Sequence, residues 1–530
     1  MPRPEEKPTS KEARRKSGST SSTSSLFSSP RPYPSLPIID EMTKMVTENN
    51  LVDFSKTIFV GMQHILATTV TLFQALIELG VKPDRMYFLG KFYSTDPDAE
   101  KEIRRLGITL LEDEFPKKPG QYSEACKKGV EKLWSKVVGE LKEKHLDIDR
   151  IVVLDEGGHC LGGMPHFIKL DEKWSISGIE QTRNGLRNIL HDGINLLPFP
   201  LVAVASCVAK RSIESPMIAE TSIDRVSSFI STSGISEPLD KVFGVIGNGA
   251  VGEAIVSHLL QLGKKVLVTD EDAETFRHVA PFFRYKSIEE VITNVNYVIG
   301  CTGEDIAKGR EDFFSKLQQD KVFISCSSED KEFLTLINII TEREYKQDRP
   351  LSTIYCDINP GVSIKILRGG FPINFDNTSR CDPPDKFQLT RGLLLGACLQ
   401  AHACASKPVR DGITVNRGGL FTLAPTIQRY IVWRWHLLGQ QVDLEILKQF
   451  ESTAWIQQVD LDILRQLEKS KTWIQEQSGQ LVSDGYTPIP QLDKSFSDCF
   501  VSMRKEIDER VEPEESGEAS HVVNLHQGPG

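Results

Sequence analysis

Residues 244–270 read GVIGNGAVGEAIVSHLLQLGKKVLVTD, a strand, a turn, a helix and a second strand in succession. An apolar run enters the turn Gly247-Asn248-Gly249-Ala250-Val251-Gly252. In such a turn the first glycine permits a tight bend and the second lets a pyrophosphate approach the backbone. The third allows the helix to lie close to the strand. The stretch therefore predicts a dinucleotide-binding unit.

The end of this unit indicates which dinucleotide would bind. Asp270 closes the second strand, 18 residues beyond Gly252. An acidic side chain at this place accepts hydrogen bonds from both ribose hydroxyls and repels a 2′-phosphate, and the helix start attracts the phosphates. We therefore predict NAD rather than NADP as the cofactor. The alternative is a structural glycine turn in a nucleotide-free domain.

Length and composition narrow the classes of protein. A chain of 530 residues suffices for two or three domains, and a formal net charge of −10 argues against nucleic-acid binding. The ten cysteines include no CxxC pair, so we expect neither a metal site nor a disulfide framework. Free thiols fit a reducing compartment. Without an apolar signal core or a membrane-spanning stretch, a soluble, cytoplasmic protein is expected.

Composition shifts and alternating strand and helix patterns predict five segments. Residues 1–36 form a disordered Ser-rich tail, and residues 37–209 form the first part of a substrate-type α/β domain. Residues 210–375 form the Rossmann NAD-binding domain. Residues 376–510 return to the substrate-type domain and add a helical extension, and residues 511–530 form a second disordered tail. The predicted fold is thus α/β, with the Rossmann domain inserted in a second α/β domain and a helical C-terminal region.

Ionisable residues follow several predicted strands. His64 stands at the expected start of a helix after the first strand, Asp155 and Glu156 follow another strand, and Lys210 follows a third. Ligands of parallel sheets bind at the carboxyl ends of the strands, so these side chains converge on one cleft. They suffice for acid–base work beside a nicotinamide ring. Alternatively, His64 caps or packs, the two acids shape a turn, and Lys210 is a solvated surface residue.

Seven short motifs also occur in a fixed order between about residues 57 and 400, roughly two thirds of the chain. They are His64–Thr69, Tyr93–Asp96, Leu154–Gly158, Glu180–Gly185, Ser206–Lys210, Cys301–Gly303 and Gly370–Asn374. In this order they resemble the motifs of the S-adenosylhomocysteine hydrolase family, such as His-Met-Thr-x-x-Thr, Leu-Asp-Asp-Gly-Gly and Glu-Glu-Thr-Thr-Thr-Gly. The chain looks like a divergent member of that family.

The resemblance implies a tightly held NAD that oxidises a ribose 3′-hydroxyl, after which homocysteine leaves, water adds and the ketone is reduced. It implies that Lys210, helped by Glu214, is the base near the 3′-hydroxyl. His64 and Glu156 would exchange protons near C5′ and C4′, and Asn374 would hold the nicotinamide carboxamide. The other cofactor contacts implied outside the glycine turn are Thr182, Asn184 and Thr302.

The chain departs from the family pattern at several polar positions. These are Leu66, Gln181, Ser215, the segment Cys326–Glu329, Cys381 or Asp382, and the carboxyl-terminal segment Asp484–Phe500. The leading hypothesis is NAD-dependent oxidation and elimination on a nucleoside-like or sugar-like hydroxyl, in the S-adenosylmethionine cycle or one-carbon metabolism. The resemblance also implies that the protein forms a homo-oligomer. The alternatives are a catalytically inactive NAD-binding sensor or scaffold, and an ordinary two-domain dehydrogenase with freely exchanging NAD.

Overall fold

A computed structural model of the protein describes much of the chain between residues 33 and 442. The residues left out within that range are 112–115, 117, 144–146, 171–172, 190–197, 233–241, 272–286, 345–349, 379–380, 405–408, 411–412 and 415–418. The predicted tails, apart from residues 33–36, and the helical extension beyond residue 442 lie outside the described residues, as does Asp484–Phe500.

The first sheet has seven strands, all of them parallel. They are β1 (Thr57–Ile65), β2 (Met86–Thr95), β3 (Thr109–Leu111), β4 (Arg150–Asp155), β5 (Ser175–Glu180), β6 (Pro200–Ala203) and β15 (Gly419–Thr422). Their order across the sheet is β15-β6-β5-β4-β1-β2-β3. The central strands are buried on both faces, as parallel strands covered by helices require.

The helices of the first domain are α1 (Pro37–Glu48), α2 (Ala67–Glu78), α3 (Pro97–Arg105), α4 (Tyr122–Glu143), α5 (His159–Gly162), α6 (His166–Leu170), α7 (Arg183–Ile189), α13 (Pro384–Cys404) and α14 (Pro425–Leu437). Helix α13 is buried along most of its length against α1, α2 and α14. A Cβ added at Gly396 would lie 2.5 Å from Ile427 Cγ2, so glycine is required where α13 crosses α14. The apolar α13 is thus the central helix of this domain.

The second sheet has six strands. They are β7 (Val242–Ile246), β8 (Lys265–Thr269), β9 (Tyr297–Gly300), β10 (Lys321–Ser325), β11 (Ile354–Asn359) and β12 (Val362–Ile366), in the order β11-β12-β10-β9-β7-β8. Only the β11–β12 pair is antiparallel. The helices are α8 (Ser215–Thr232), α9 (Ala250–Gln261), α10 (Ile288–Asn294), α11 (Glu311–Ser315) and α12 (Leu334–Glu344). Strands β13 (Val409–Arg410) and β14 (Ile413–Thr414) form a separate short hairpin.

The connectivity confirms the predicted fold class. The chain leaves the first sheet after β6, builds the whole second sheet, and returns through α13 to β15, which pairs with β6. The Rossmann unit is therefore inserted in a second α/β unit, and α13 and α14 supply the helical content that follows it. No helix among the described residues has both the length and the apolar character needed to cross a membrane.

One local prediction was wrong. His64 lies inside β1 rather than at a helix start, because the strand continues to the fully buried Ile65, which pairs with Thr95 of β2. Strands β11 and β12 form an antiparallel hairpin. Its turn contains Gly361 with φ of +81°, a left-handed conformation that suits glycine.

The carboxyl ends of the two sheets face each other. His159, after β4, hydrogen-bonds Glu329, which follows β10 of the second sheet. Arg187 of α7 lies 3.1 Å from Glu304 Oε1, after β9. Gly120 N also donates to Asp330 Oδ2 at 2.9 Å. Loops at the carboxyl ends of the two sheets therefore contact each other, and the region between these ends is called the cleft.

Candidate functional site

The glycine turn has the geometry that its sequence predicts. Gly247 has φ of +92°, and a Cβ there would lie 2.9 Å from the carbonyl carbon of Cys301. A Cβ at Gly252 would lie 1.9 Å from Gly247 O, so α9 contacts the turn too closely for any side chain. A Cβ at Gly249 would meet nothing within 4 Å. The backbone is thus closely packed on one side and open on the side where a pyrophosphate would approach.

The helix after the turn begins at Ala250, with Gly249 as its N-cap and no side-chain cap. The first N–H groups of a helix have no acceptor within the helix and attract phosphate oxygens. Asp270, directly after β8, accepts a hydrogen bond from Asn248 N and so lies beside the turn. The open glycine, the uncapped helix start and the carboxylate fit a dinucleotide.

The first sheet contributes a cluster of ionisable side chains, here called the His64 cluster. The Nε2 atom of His64 contacts Glu156 Oε1, and its Nδ1 atom faces Ser94 Oγ. Lys91 Nζ lies 3.5 Å from Glu156 Oε1, and Gln181 Nε2 donates to Glu156 Oε2. These residues come from β1, β2 and the ends of β4 and β5, which are neighbours in the sheet. The structure thus brings together His64 and Glu156, as the sequence predicted.

The pKa shifts of Glu156, Lys91 and His64 indicate which of these side chains are charged. Burial opposes ionisation of Glu156, but His64 and Lys91 outweigh it and hold the pKa of Glu156 well below its usual range. Burial likewise opposes the charge on Lys91, but Glu156 raises the pKa of Lys91 well above normal. Burial lowers the pKa of His64 against the attraction of Glu156. The charged pair is therefore Lys91–Glu156, and His64 is neutral, with Nε2–H donating to Glu156.

Ser94, His64 and Glu156 make a hydroxyl–imidazole–carboxylate chain like that of a serine hydrolase. Ser94 is 0% exposed, however, so its hydroxyl cannot reach a substrate carbonyl. The His64 side chain keeps 13% of its surface exposed, and the Phe375 ring lies against it with centroids 4.3 Å apart. His64 is therefore the member of the chain that can meet a ligand, and Ser94 orients its ring.

Lys210 and Glu214 border the His64 cluster. Lys210 Nζ donates to Glu214 Oε1 at 2.5 Å, and Thr390 Oγ1 donates to Glu214 Oε2 at 3.0 Å. Both residues lie in a π-helical turn that leads into α8, and both side chains are largely buried. Lys210 also contributes to lowering the pKa of Glu156. The predicted base and its helper thus form a pair close to the His64 cluster.

The loop after β5 contains two predicted cofactor contacts, Thr182 and Asn184, which differ in their hydrogen bonds. The Thr182 hydroxyl donates to Glu180 Oε1 at 2.6 Å and accepts from the N–H groups of Gly157 and Gly185. It therefore fastens this loop to the loop after β4. Asn184 Nδ2 is buried and has no hydrogen-bond partner in the described part of the chain. An amide donor in this state is available to a ligand.

The loop after β9 is held by a residue that the sequence analysis missed. Glu332 accepts hydrogen bonds from Thr302 N at 3.0 Å and from Thr302 Oγ1 at 2.8 Å. It also accepts from Gly303 N at 2.8 Å and from Ser327 Oγ. Because the Thr302 loop flanks Gly247, Glu332 positions one wall of the glycine turn. Asn374 is 7% exposed in the segment that follows β12.

Lys91 and Glu329 were also missed. Lys91 is 0% exposed within the otherwise apolar β2, and a lone charge in such a strand is the signal that marks it. Glu329 bonds His159 and lies 3.0 Å from Lys331 Nζ. Burial lowers the pKa of Lys91, whereas Glu156, Tyr93 and Glu329 raise it. The site therefore includes charges from both sheets.

A second buried network joins Thr68, at the start of α2, to Asp382 and Arg391. Asp382 accepts from Thr68 N and Thr68 Oγ1, both at 2.8 Å, and Arg391 Nε donates to Thr68 Oγ1 at 2.7 Å. Asp382 is 0% and Arg391 is 3% exposed. These groups bind one another and so stabilise the α2–α13 contact.

One family model and several known proteins are similar to parts of this chain. Residues 242–329 match the family model described as NADP oxidoreductase, coenzyme F420-dependent. An uncharacterized protein of Mycobacterium tuberculosis is 26% identical over 390 residues, covering 71% of this chain and 69% of that protein. The cytokine-like nuclear factor N-PAC of Homo sapiens is 24% identical over 220 residues, covering 39% of each chain.

Among solved structures, an NADPH-dependent glyoxylate/hydroxypyruvate reductase from Sinorhizobium meliloti shares 11% identity. It covers 64% of this chain and 92% of its own length, with a TM-score of 0.31. None of the similar proteins named here is an adenosylhomocysteine hydrolase. The glycine turn and the family model together show that the chain has an NAD(P)-binding, oxidoreductase-like Rossmann fold.

Proposed function

We propose that the protein binds NAD and uses it to oxidise a hydroxyl group of a nucleoside-like or sugar-like substrate, as the resemblance to S-adenosylhomocysteine hydrolase implies. The observation that carries the proposal is the buried His64 cluster, whose strands end at the same cleft as the glycine turn. When bound, the dinucleotide supplies a hydride acceptor for the substrate carbon.

In this proposal Lys210 takes the proton of the substrate hydroxyl. It must enter the reaction as a neutral amine and leave it as an ammonium ion. The Glu214 carboxylate, 2.5 Å from Lys210 Nζ, stabilises that ammonium ion and is itself held by Thr390.

His64 exchanges the proton at the neighbouring carbon. Glu156 is already bound by His64, Lys91 and Gln181 and ionises readily, so it is a weak base and orients the imidazole. The Nδ1 atom of His64 becomes free when the Ser94 hydroxyl turns to its second acceptor, Lys91 O, 3.3 Å away. This division of roles changes the one implied by the resemblance, which gave Glu156 a proton to carry.

Two observations favour particular choices of cofactor and substrate. Asp270 beside the glycine turn favours NAD over NADP, because a carboxylate repels a 2′-phosphate. Thr68 and Asp382 are bound to each other and so offer little to a nucleobase, which favours a sugar-like substrate. A role in the S-adenosylmethionine cycle or one-carbon metabolism, a cytoplasmic location and a homo-oligomer are also proposed, on the resemblance and composition alone.

The test starts with the purified protein. Mass spectrometry of the denatured protein should identify NAD or NADH, and added NAD should raise the melting temperature because ligands stabilise the state that they bind. Adenosine or ribose added to the NAD-loaded protein should then produce the absorbance of reduced nicotinamide. A His64→Gln variant should keep the NAD-dependent rise in melting temperature. A protein that retains no NAD(H) and shows no stabilisation by NAD contradicts the proposal.

A second candidate function is an inactive NAD-binding sensor or scaffold. It is favoured by the saturation of Glu156, whose carboxylate is bound by three side chains, and by the internal pairing of Thr68 with Asp382. Such a protein would bind NAD without reducing it. Exchange of a carbon-bound deuterium in any adenosine or ribose analogue would rule this candidate out.

A further inference from the structure

Three arginines lie at the carboxyl edge of the first sheet, close to the proposed site. Arg183 is the first residue of α7, just after β5, and Arg187 lies one helical turn further on. Arg211 directly follows Lys210, after β6. Strands β5 and β6 are hydrogen-bonded neighbours, so both loops leave the sheet at the same edge. The three residues are called the arginine cluster.

Arg187 is paired with Glu304, whereas Arg183 and Arg211 lack a carboxylate partner among the described residues. In the part of the chain that the structure describes, the guanidinium groups of Arg183 and Arg211 make no hydrogen bond or ion pair. The nearby carboxylates are committed: Glu180 accepts from the loop N–H groups and Thr182, and Glu214 accepts from Lys210 and Thr390. The positive charge of the cluster is therefore not neutralised by these acids.

Its members also repel one another. Arg183 and Arg187 are four residues apart on a helix, a spacing at which like charges destabilise the helix. Partial desolvation, followed by the positive charges of Arg211 and Arg187, lowers the pKa of Arg183. An arrangement that costs folding free energy in this way becomes favourable when an anion binds between the guanidinium groups.

Arg187 connects the cluster to the glycine turn. Its Nη1 atom lies 3.1 Å from Glu304 Oε1 and 3.5 Å from Thr302 O. The Thr302 N atom is 3.0 Å from the position of a Cβ on Gly247. The arginine cluster therefore lies beside the cleft, between the His64 cluster and the glycine turn.

We propose that Arg183 and Arg211, assisted by Arg187, form a binding site for a phosphate group in this cleft. The planar guanidinium binds phosphate oxygens through two parallel hydrogen bonds, which a lysine cannot do. The phosphate belongs either to the diphosphate of the dinucleotide or to a phosphate ester on the second substrate. The inference rests on the proposed function only in taking its ligand from the same cleft.

The test compares Arg183→Gln and Arg211→Gln with Arg105→Gln. Arg105 lies at the end of α3, away from the carboxyl ends of the strands, and is paired with Glu102. Its replacement by glutamine changes the net charge by the same amount as each cluster variant. Calorimetry measures binding of NAD, of inorganic pyrophosphate, and of ribose 5-phosphate to NAD-saturated protein. Each cluster variant should weaken one of these by about tenfold, the effect of one charge-assisted hydrogen bond. Arg105→Gln should bind all three ligands like the unmodified protein. Without ligand, the two cluster variants should melt at the same or a higher temperature than the unmodified protein, because they relieve the repulsion among the arginines.

The results separate the sources. Weaker binding of NAD together with competition by pyrophosphate assigns the site to the dinucleotide. Unchanged NAD binding with weaker binding of ribose 5-phosphate assigns it to the substrate. Pyrophosphate that binds through the arginines in a protein without NAD affinity upholds the site and contradicts the proposed function. Variants that bind NAD and both phosphate probes like the unmodified protein overturn the inference and leave the proposed function standing.

Discussion

The two sides of the cleft are built differently. The glycine turn of the second sheet presents backbone N–H groups and owes its shape to residues without side chains. The His64 cluster of the first sheet consists of ionisable side chains that hold one another in a buried position. The conformation of the turn depends mainly on its own glycines, whereas the cluster depends on side chains from four segments of the chain. The two sides should therefore respond differently to substitution.

The largest expected effect is on the His64 cluster. Lys91→Met leaves the Glu156 carboxylate buried without its cation, which should lower the free energy of unfolding by about 3–5 kcal/mol. Adding Glu156→Gln removes the unpaired charge and should restore much of that loss. Urea unfolding of the two single variants and the double variant measures the coupling. Additive losses would show that Lys91 and Glu156 do not act as a pair.

Next in size is the effect of filling the glycine turn. Gly252→Ala places a Cβ against Gly247 O and should lower the free energy of unfolding by about 1–3 kcal/mol, and it should also abolish stabilisation by NAD. Gly249→Ala has space for its Cβ, so the protein should keep its stability without ligand and lose NAD affinity. Thermal unfolding with and without NAD distinguishes the two. Equal intrinsic stabilities would contradict the close approach at Gly252.

A third prediction concerns pH. Burial and the neighbouring Glu329 raise the pKa of Asp330 to about 7 from an ordinary value of 3.8. A carboxyl group with a raised pKa contributes stability that is complete below pH 3.8 and is lost as the pH rises through about 7. Between pH 6 and 8 this loss should amount to about 1 kcal/mol. An Asp330→Asn variant should lack this component of the pH dependence in urea unfolding. Parallel curves for both proteins would contradict it.

The smallest effect is expected where the two sides meet at the surface. The Arg187–Glu304 pair is largely exposed, so a Glu304→Gln variant should change the free energy of unfolding by about 0.5 kcal/mol or less. The contrast with Lys91→Met measures how much burial matters within one cleft. A loss of several kcal/mol would show that this contact holds the two sheets together.

The same contrast explains what the sequence could predict. The glycine turn and Asp270 were predicted because their geometry is set by neighbours in the chain. His64 and Glu156 were predicted to meet because both stand at carboxyl ends of strands, a rule of parallel sheets. Lys91 was missed because its significance comes from Glu156, and β2 alone shows only a lysine in an apolar strand. Contacts such as His159–Glu329 require knowing how the two sheets face each other.

The pairing of β15 with β6 also affects how the protein folds during its synthesis. Strand β6 ends at Ala203, and its partner begins only at Gly419, so the ribosome makes the entire second sheet while β6 has an open edge. An unpaired apolar strand invites mispairing in a nascent chain. Strand β6 has only four residues and begins with Pro200, which lacks an N–H group. Because β6 is short, it offers few backbone groups to a wrong strand before β15 has been synthesised.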